Sequence, residues 1–118
     1  MQTIHQEAEF HAQIANEKPT VAVFKAVWCG DCHFIDPFMP EVEEKYGDRI
    51  TFVHVDRDEL PDLCSELNIL GIPSFITFAR GQELTRFVSK LRKSRAEIEE
   101  FLDKSLQVAE LYLAAGKE

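Results

Sequence analysis

The sequence has no apolar run approaching the length of about 20 residues that a bilayer span requires. Its first 18 residues hold no basic segment followed by an apolar stretch, so no export signal is expected. Positive charge is scarce: 13 Lys and Arg stand against 21 Asp and Glu, giving a net charge of −8. That balance repels phosphate backbones and anionic lipid, so neither nucleic acid nor membrane is an expected partner. Repeats, linkers and low-complexity segments are also missing. Cysteine is limited to Cys29, Cys32 and Cys64. A structural zinc site normally shows a second close pair, and there is none, so no metal is expected. These absences point to a cytoplasmic chain, where a close cysteine pair is catalytic or metal-binding more often than structural.

What remains is an ordinary globular composition. The 118 residues are 45% hydrophobic, enough for one domain over 1–118 with a core that needs no disulfide staples. The chain is organised around Trp28-Cys29-Gly30-Asp31-Cys32. Before it runs Thr20 to Val27, rich in β-branched and small apolar residues, which reads as a buried strand. After it, Phe34, Phe38 and Val42 recur at helical spacing, predicting a helix from about Cys32 to Tyr46 that must absorb Pro37 and Pro40. Two cysteines on such a strand-to-helix turn can close a disulfide reversibly. The first sulfur sits where unpaired N–H groups favour a thiolate.

The rest of the chain alternates in kind. A short leading strand or arm precedes a helix ending near Asn16. Ile50 to Asp56 reads as a second buried strand, and Pro61 opens a short helix through Leu67. Ser74 to Ala79 alternates as a strand, and Arg80-Gly81 turns it into a hairpin partner, Glu83 to Val88. Ser94 with Glu97 forms a capping box for a final long helix. Strands separated by helices should pair in parallel, with the closing hairpin adding antiparallel edges. The last helix carries Ile98, Leu102, Leu106, Ala109 and Leu113 on one stripe, and residues 108–118 extend it. It should overhang the sheet and expose Val108, Leu111, Tyr112 and Leu113, which would favour weak self-association; the expected state is a monomer or weak homodimer.

Three features together resemble the thioredoxin family over nearly the whole chain: the Trp28 to Cys32 motif followed by Pro37, the Gly71-Ile72-Pro73-Ser74 loop, and the Arg80-Gly81 hairpin before a C-terminal helix. The resemblance implies an α/β thioredoxin fold with a central mixed sheet flanked by helices. It implies a thiol–disulfide oxidoreductase, mainly a reductant of protein disulfides or low-molecular-weight mixed disulfides. Cys29 would be the nucleophile and Cys32 the resolving thiol. Pro73 would be cis, with Ile72 offering its backbone to an extended substrate and Trp28, Gly30 and Asp31 completing the groove. No cofactor beyond the dithiol is implied. The electron source would be a reductase or a low-molecular-weight thiol. A thioredoxin-fold binding module, in which the groove captures a partner and redox turnover is incidental, is the alternative reading.

The sequence departs from the family pattern at several positions. Asp31 stands in place of a proline, and a carboxylate there should oppose thiolate formation and make the pair a better reductant. Val23 replaces the buried aspartate beneath the site, and His54 replaces the lysine that partners it. His54 is then either a neutral polar strand residue or a general base for Cys32. Ser89 replaces a groove glycine. Cys64 reads as a half-buried small apolar residue rather than a redox partner, and His33 as a solvated helix residue. Cys29 to His33 also matches the haem c attachment pattern. That reading would need export and a second axial ligand, with Met39 the only nearby methionine.

Overall fold

A computed structural model describes residues 1–116. The elements run β1 (Gln2–Ile4), α1 (Glu7–Ile14), β2 (Thr20–Lys25), α2 (Gly30–Ile35), α3 (Met39–Tyr46), β3 (Thr51–Asp56), α4 (Pro61–Glu66), β4 (Ser74–Ala79), β5 (Gln82–Phe87) and α5 (Arg95–Ala115). The strands form one sheet in the order β1-β3-β2-β4-β5. Among the described residues no helix is long and apolar enough to cross a membrane.

The period-2 geometry of a strand sends neighbouring side chains to opposite faces, and both faces of this sheet are covered. On one side Ala22, Phe24, Val53, Val55, Ile76 and Phe78 pack against Phe10 and Ile14 of α1 and Leu63 and Cys64 of α4. On the other, Val21, Val23, Phe52 and Phe75 meet Ile35, Met39, Val42 and Tyr46 of α2 and α3 and Ile98 and Leu102 of α5. Burial on both faces explains why all six residues of β4 are inaccessible although its sequence alternates.

Pairing corrects the simple parallel rule. β1, β3 and β2 are parallel, yet β4 lies antiparallel to β2, and β5 antiparallel to β4. A helix does separate β3 from β4, but the two are not neighbours; α4 returns the chain to the far side of β2. The β4–β5 turn has Arg80 at φ 51° and Gly81 at φ 79°, the pair of left-handed residues that suits a tight hairpin.

Two further expectations are corrected. The single helix over 32–46 is two helices. The chain leaves helical pairing at Asp36-Pro37, and α3 restarts with Pro40 in its first turn, where its missing N–H is no loss. The break shifts the buried stripe to Ile35, Met39, Val42 and Tyr46 and leaves Phe34 exposed. The preceding strand also stops at Lys25, so Val27 is solvent-facing.

The last helix is capped as expected: Glu97 N–H donates to Ser94 Oγ at 3.1 Å, and Ser94 N–H to Glu97 Oε1 at 3.0 Å. At 21 residues it is about 32 Å long. It does not project free of the fold. Its buried stripe is Ile98, Leu102, Ser105 and Ala109, and of the four residues expected to be exposed only Leu111 is; Val108, Tyr112 and Leu113 are half-buried. Leu113 and Pro19 line the same surface cleft, and the Arg80 side chain reaches Gly116. Ser105 replaces Leu106 at the stripe's centre because its hydroxyl meets Thr77 Oγ1 at 3.0 Å and Thr85 Oγ1 at 2.7 Å. Residues 117 and 118 of the expected 108–118 extension lie outside the described residues.

Candidate active site

Where β2 ends, Ala26 turns inward, and Val27 and Trp28 turn out to solvent. Cys29 is the N-cap of α2, in extended conformation, and Cys32 is the third residue of its first turn. The two are joined as a disulfide with Cα atoms 5.2 Å apart. The backbone N–H of Cys32 donates to Cys29 Sγ at 3.1 Å. A donor aimed at that sulfur favours its anionic form once the bridge is reduced. Both cysteines are buried, Cys29 at 6% exposed being the more accessible and Cys32 at 1% the less.

The loop before β4 closes the other side. The Ile72–Pro73 peptide bond is cis, as expected. The Ile72 carbonyl oxygen lies 3.6 Å from Cys29 Sγ, so the backbone next to Pro73 borders the sulfur directly. Gly71 is required by a close approach: a Cβ there would stand 2.1 Å from the Ser89 carbonyl oxygen. Ser89 therefore belongs to the wall of the groove. Its segment is pinned from within by Lys93, whose buried Nζ donates to the carbonyls of Ser89 and Leu91, each at 3.1 Å.

The Thioredoxin family model matches residues 1–104. The chain belongs to the thioredoxin family. It is 34% identical over 98 residues to thioredoxin X of Arabidopsis thaliana, a chloroplastic protein, covering 82% of this chain and 54% of that one. Thioredoxin of Callithrix jacchus is 37% identical over 89 residues, covering 75% and 84%. The chain thus spans about half the length of the first of these relatives and most of the second. Among solved structures, the thioredoxin of Malassezia sympodialis superposes with a TM-score of 0.75 at 27% identity, covering 92% of each chain.

Against that thioredoxin frame, the rim holds residues that sequence reasoning missed. Trp28 is 62% exposed, and its indole N–H donates to Asp58 Oδ2 at 2.7 Å. Arg92 reaches across to Asp31, with Nε 2.9 Å from Oδ1, and its guanidinium lies 4.4 Å from the centre of the Phe34 ring. The carboxylate between the cysteines therefore has a cation answering it. Gly30 has open space around its missing Cβ, so nothing in the packing demands glycine there.

The floor keeps the other departures together. Val23 is fully buried and pairs in register with His54. His54 Nδ1 lies 3.4 Å from Thr3 Oγ1, and its Nε2 is buried with no hydrogen-bond partner among the described residues. Burial, then the nearby Lys25 ammonium, holds the imidazole below its ordinary value. Lys25 Nζ donates to Asp36 Oδ1 at 2.7 Å, and His33 Nε2 sits 2.6 Å from the Val27 carbonyl. His33 is thus tied to the turn, although its ring is exposed.

The remaining sulfur is elsewhere. Cys64 is packed in the α1/α4 core, and burial pushes its thiol up to about 11, so it stays a neutral apolar group. Met39 is buried in the opposite core, and Cys29 and Cys32 are bonded to each other, so neither sulfur is free to form a thioether and Met39 is not presented beside them as an axial ligand.

Proposed function

We propose that this protein is a thiol–disulfide oxidoreductase working mainly as a reductant on protein disulfides or low-molecular-weight mixed disulfides. The observation that carries the reading is the Cys29 sulfur, which receives the Cys32 N–H and is bordered by the Ile72 carbonyl beside cis Pro73. In the reduced protein the Cys29 thiolate attacks one sulfur of a substrate disulfide. A Cys29–substrate bond forms, and the other substrate sulfur leaves as a thiolate. Cys32 then attacks Cys29, which restores the Cys29–Cys32 bond and releases the second substrate thiol. Two electrons pass from the dithiol to the substrate. An extended substrate segment can pair with the backbone of Ile72 while Trp28, Gly30, Asp31 and Pro73 form the walls.

The reading requires no cofactor or metal. A reductase or a low-molecular-weight thiol regenerates the dithiol, and the protein works in the cytoplasm as a monomer or weak homodimer. Capture by groove contacts alone gives no role to a second cysteine bonded to the first, so the binding-module alternative is not favoured. The deciding experiment replaces Cys32 with Ser in the full chain. A covalent adduct should accumulate on Cys29 with a disulfide-bearing protein and dissolve on adding dithiothreitol. Absence of any adduct, with Cys29→Ser still fully active, would sink the reading.

A further inference from the structure

Cys32 has a polar neighbourhood that the two-step scheme leaves idle. Behind its sulfur opens a cleft of about 150 Å³ whose walls include Cys32, Lys25, His33, Asp36, His54 and Asp56. Charged groups reach it from every element around it: Lys25 from β2, His33 and Asp36 from the α2 side, and His54 and Asp56 from β3. β1 contributes Thr3 at His54 Nδ1, and Glu59 acts on His54 from the loop after β3. Asp36 is fixed in place by Lys25, 2.7 Å away, and has His33 Nδ1 at 3.4 Å from its second oxygen.

His54 Nε2 is the unpaired polar atom of this group. Leaving a buried ring nitrogen without a partner costs about 1–3 kcal/mol, and a cleft of this size with several polar walls can hold the water that satisfies it. In the tautomer whose Nδ1–H donates to Thr3 Oγ1, 3.4 Å away, Nε2 is an acceptor. Val23, in register with His54 on the neighbouring strand, is fully buried and apolar, and the carboxylates of the cleft are those of Asp36 and Asp56.

We propose that His54, backed by the Lys25-held Asp36 carboxylate, is the proton acceptor for Cys32, reached through one water in this cleft. The proposal rests on the oxidoreductase reading and assigns the acid–base partner of its second step. In that step the Cys32 S–H proton passes by the water to His54 Nε2, and the resulting thiolate attacks Cys29 Sγ. The Cys29–Cys32 bond forms, and the Cys29–substrate bond breaks. The departing substrate thiolate takes up a proton from His54 or from solvent. Because burial and Lys25 hold the imidazole below its ordinary value, it is a neutral acceptor at pH 7. Asp56, Asp36 and Glu59 act in the opposite sense and stabilise the imidazolium while it lasts.

An aromatic disulfide, 5,5′-dithiobis(2-nitrobenzoic acid), reads the two steps separately. Attack by Cys29 on this probe releases one coloured thiolate, and resolution by Cys32 releases the second. In stopped flow with the reduced full chain, His54→Ala should leave the first phase unchanged. It should slow the second by roughly a hundredfold at pH 7, the lower reach of general-base effects. The wild-type second phase should fall with acidification through an inflection below 6.5, and His54→Gln, which keeps much of the shape, should lack that inflection. Asp36→Asn should move the inflection to lower pH, since a carboxylate that favours the imidazolium has gone. An unchanged second phase in both His54 variants, or equal slowing of both phases, overturns the assignment while leaving the oxidoreductase intact. A wild-type protein that releases fewer than two equivalents overturns the oxidoreductase reading and this proposal with it.

Discussion

The rim beside Cys29 and the floor beneath Cys32 differ in how their charges are paired. At the rim, Asp31 meets Arg92 with side chains 32% and 58% exposed, and Trp28 reaches Asp58 in full view of solvent. Water and salt screen such pairs, so each is worth about 0–1 kcal/mol. At the floor, the Lys25–Asp36 pair is still half open, at 19% and 43% exposed, but His54 Nε2 is buried and the Val23 wall is apolar. A charge placed at His54 Nε2 or at Val23 is poorly screened, and creating one there costs far more. One turn of chain thus holds a sulfur that surface charges adjust gently and another whose proton must travel through a confined cleft.

The largest expected difference between the two sides is in the chemistry. Cys29→Ser should abolish disulfide reduction, because no other thiol stands at the rim. Cys32→Ser should retain attack and stall at the mixed disulfide. Mass spectrometry after incubation with a protein disulfide reads both outcomes. Full activity in Cys29→Ser with loss in Cys64→Ser would place the reaction elsewhere in the molecule.

Next comes the floor's intolerance of new charge. Val23 is fully buried and packs with Ile35, Met39 and Phe75. Val23→Asp should lower the free energy of unfolding by about 3 kcal/mol or more, read from the urea midpoint, because the carboxylate is left without a partner. Arg92→Ala at the rim should change it by less than about 1 kcal/mol. Equal losses from the two would erase the distinction between rim and floor.

A smaller effect is expected from acid. His54 has a lowered value in the folded protein, so the unfolded chain binds its proton more readily. The stability gained by keeping it neutral is complete above the ordinary imidazole value of 6.5 and is lost as pH falls from there toward the lowered folded value. Glu97 and Glu99 are lowered by hydrogen bonds from Ser94 and from Lys45 and Arg95, and their contributions are lost only below about 4.5. Urea titrations between these values should slope downward with acidification in the wild type and flatten in His54→Gln. A slope that survives the substitution would remove His54 from the account.

The contrast also separates what could be read in the sequence from what could not. Cys29, Cys32 and the Ser94–Glu97 box declare themselves through local spacing, since the residues that act together are neighbours in the chain, whereas Pro73 is legible only through the family resemblance. The missed residues come from far along it: Asp58 is 30 residues from Trp28, and Arg92 is 61 from Asp31. Periodicity finds faces, and it cannot say which distant cation meets which carboxylate. Asp36 and Lys25 look like ordinary surface charges until the break at Pro37 turns Asp36 toward the end of β2. The same break hid the change of buried residue from Phe34 to Ile35, because a helix interrupted after one and a half turns need not keep the stripe of the helix that follows.

The smallest effect, and the most delicate measurement, belongs to Asp31 and Arg92. A carboxylate two residues from Cys29 disfavours the thiolate, and the guanidinium 2.9 Å from Asp31 Oδ1 offsets it. Arg92→Ala should therefore raise the thiol value of Cys29, by less than about one unit because both side chains are partly exposed. Asp31→Asn should lower it, and the double variant should fall close to the single Asn variant, since the arginine then has no carboxylate to answer. Ultraviolet absorbance of the thiolate across a pH titration of the reduced protein gives each value. Raising the salt concentration should shrink the differences between the variants, as screening demands of a surface pair. A shift of two units or more in Arg92→Ala, unaffected by salt, would mean that the rim is electrostatically as enclosed as the floor.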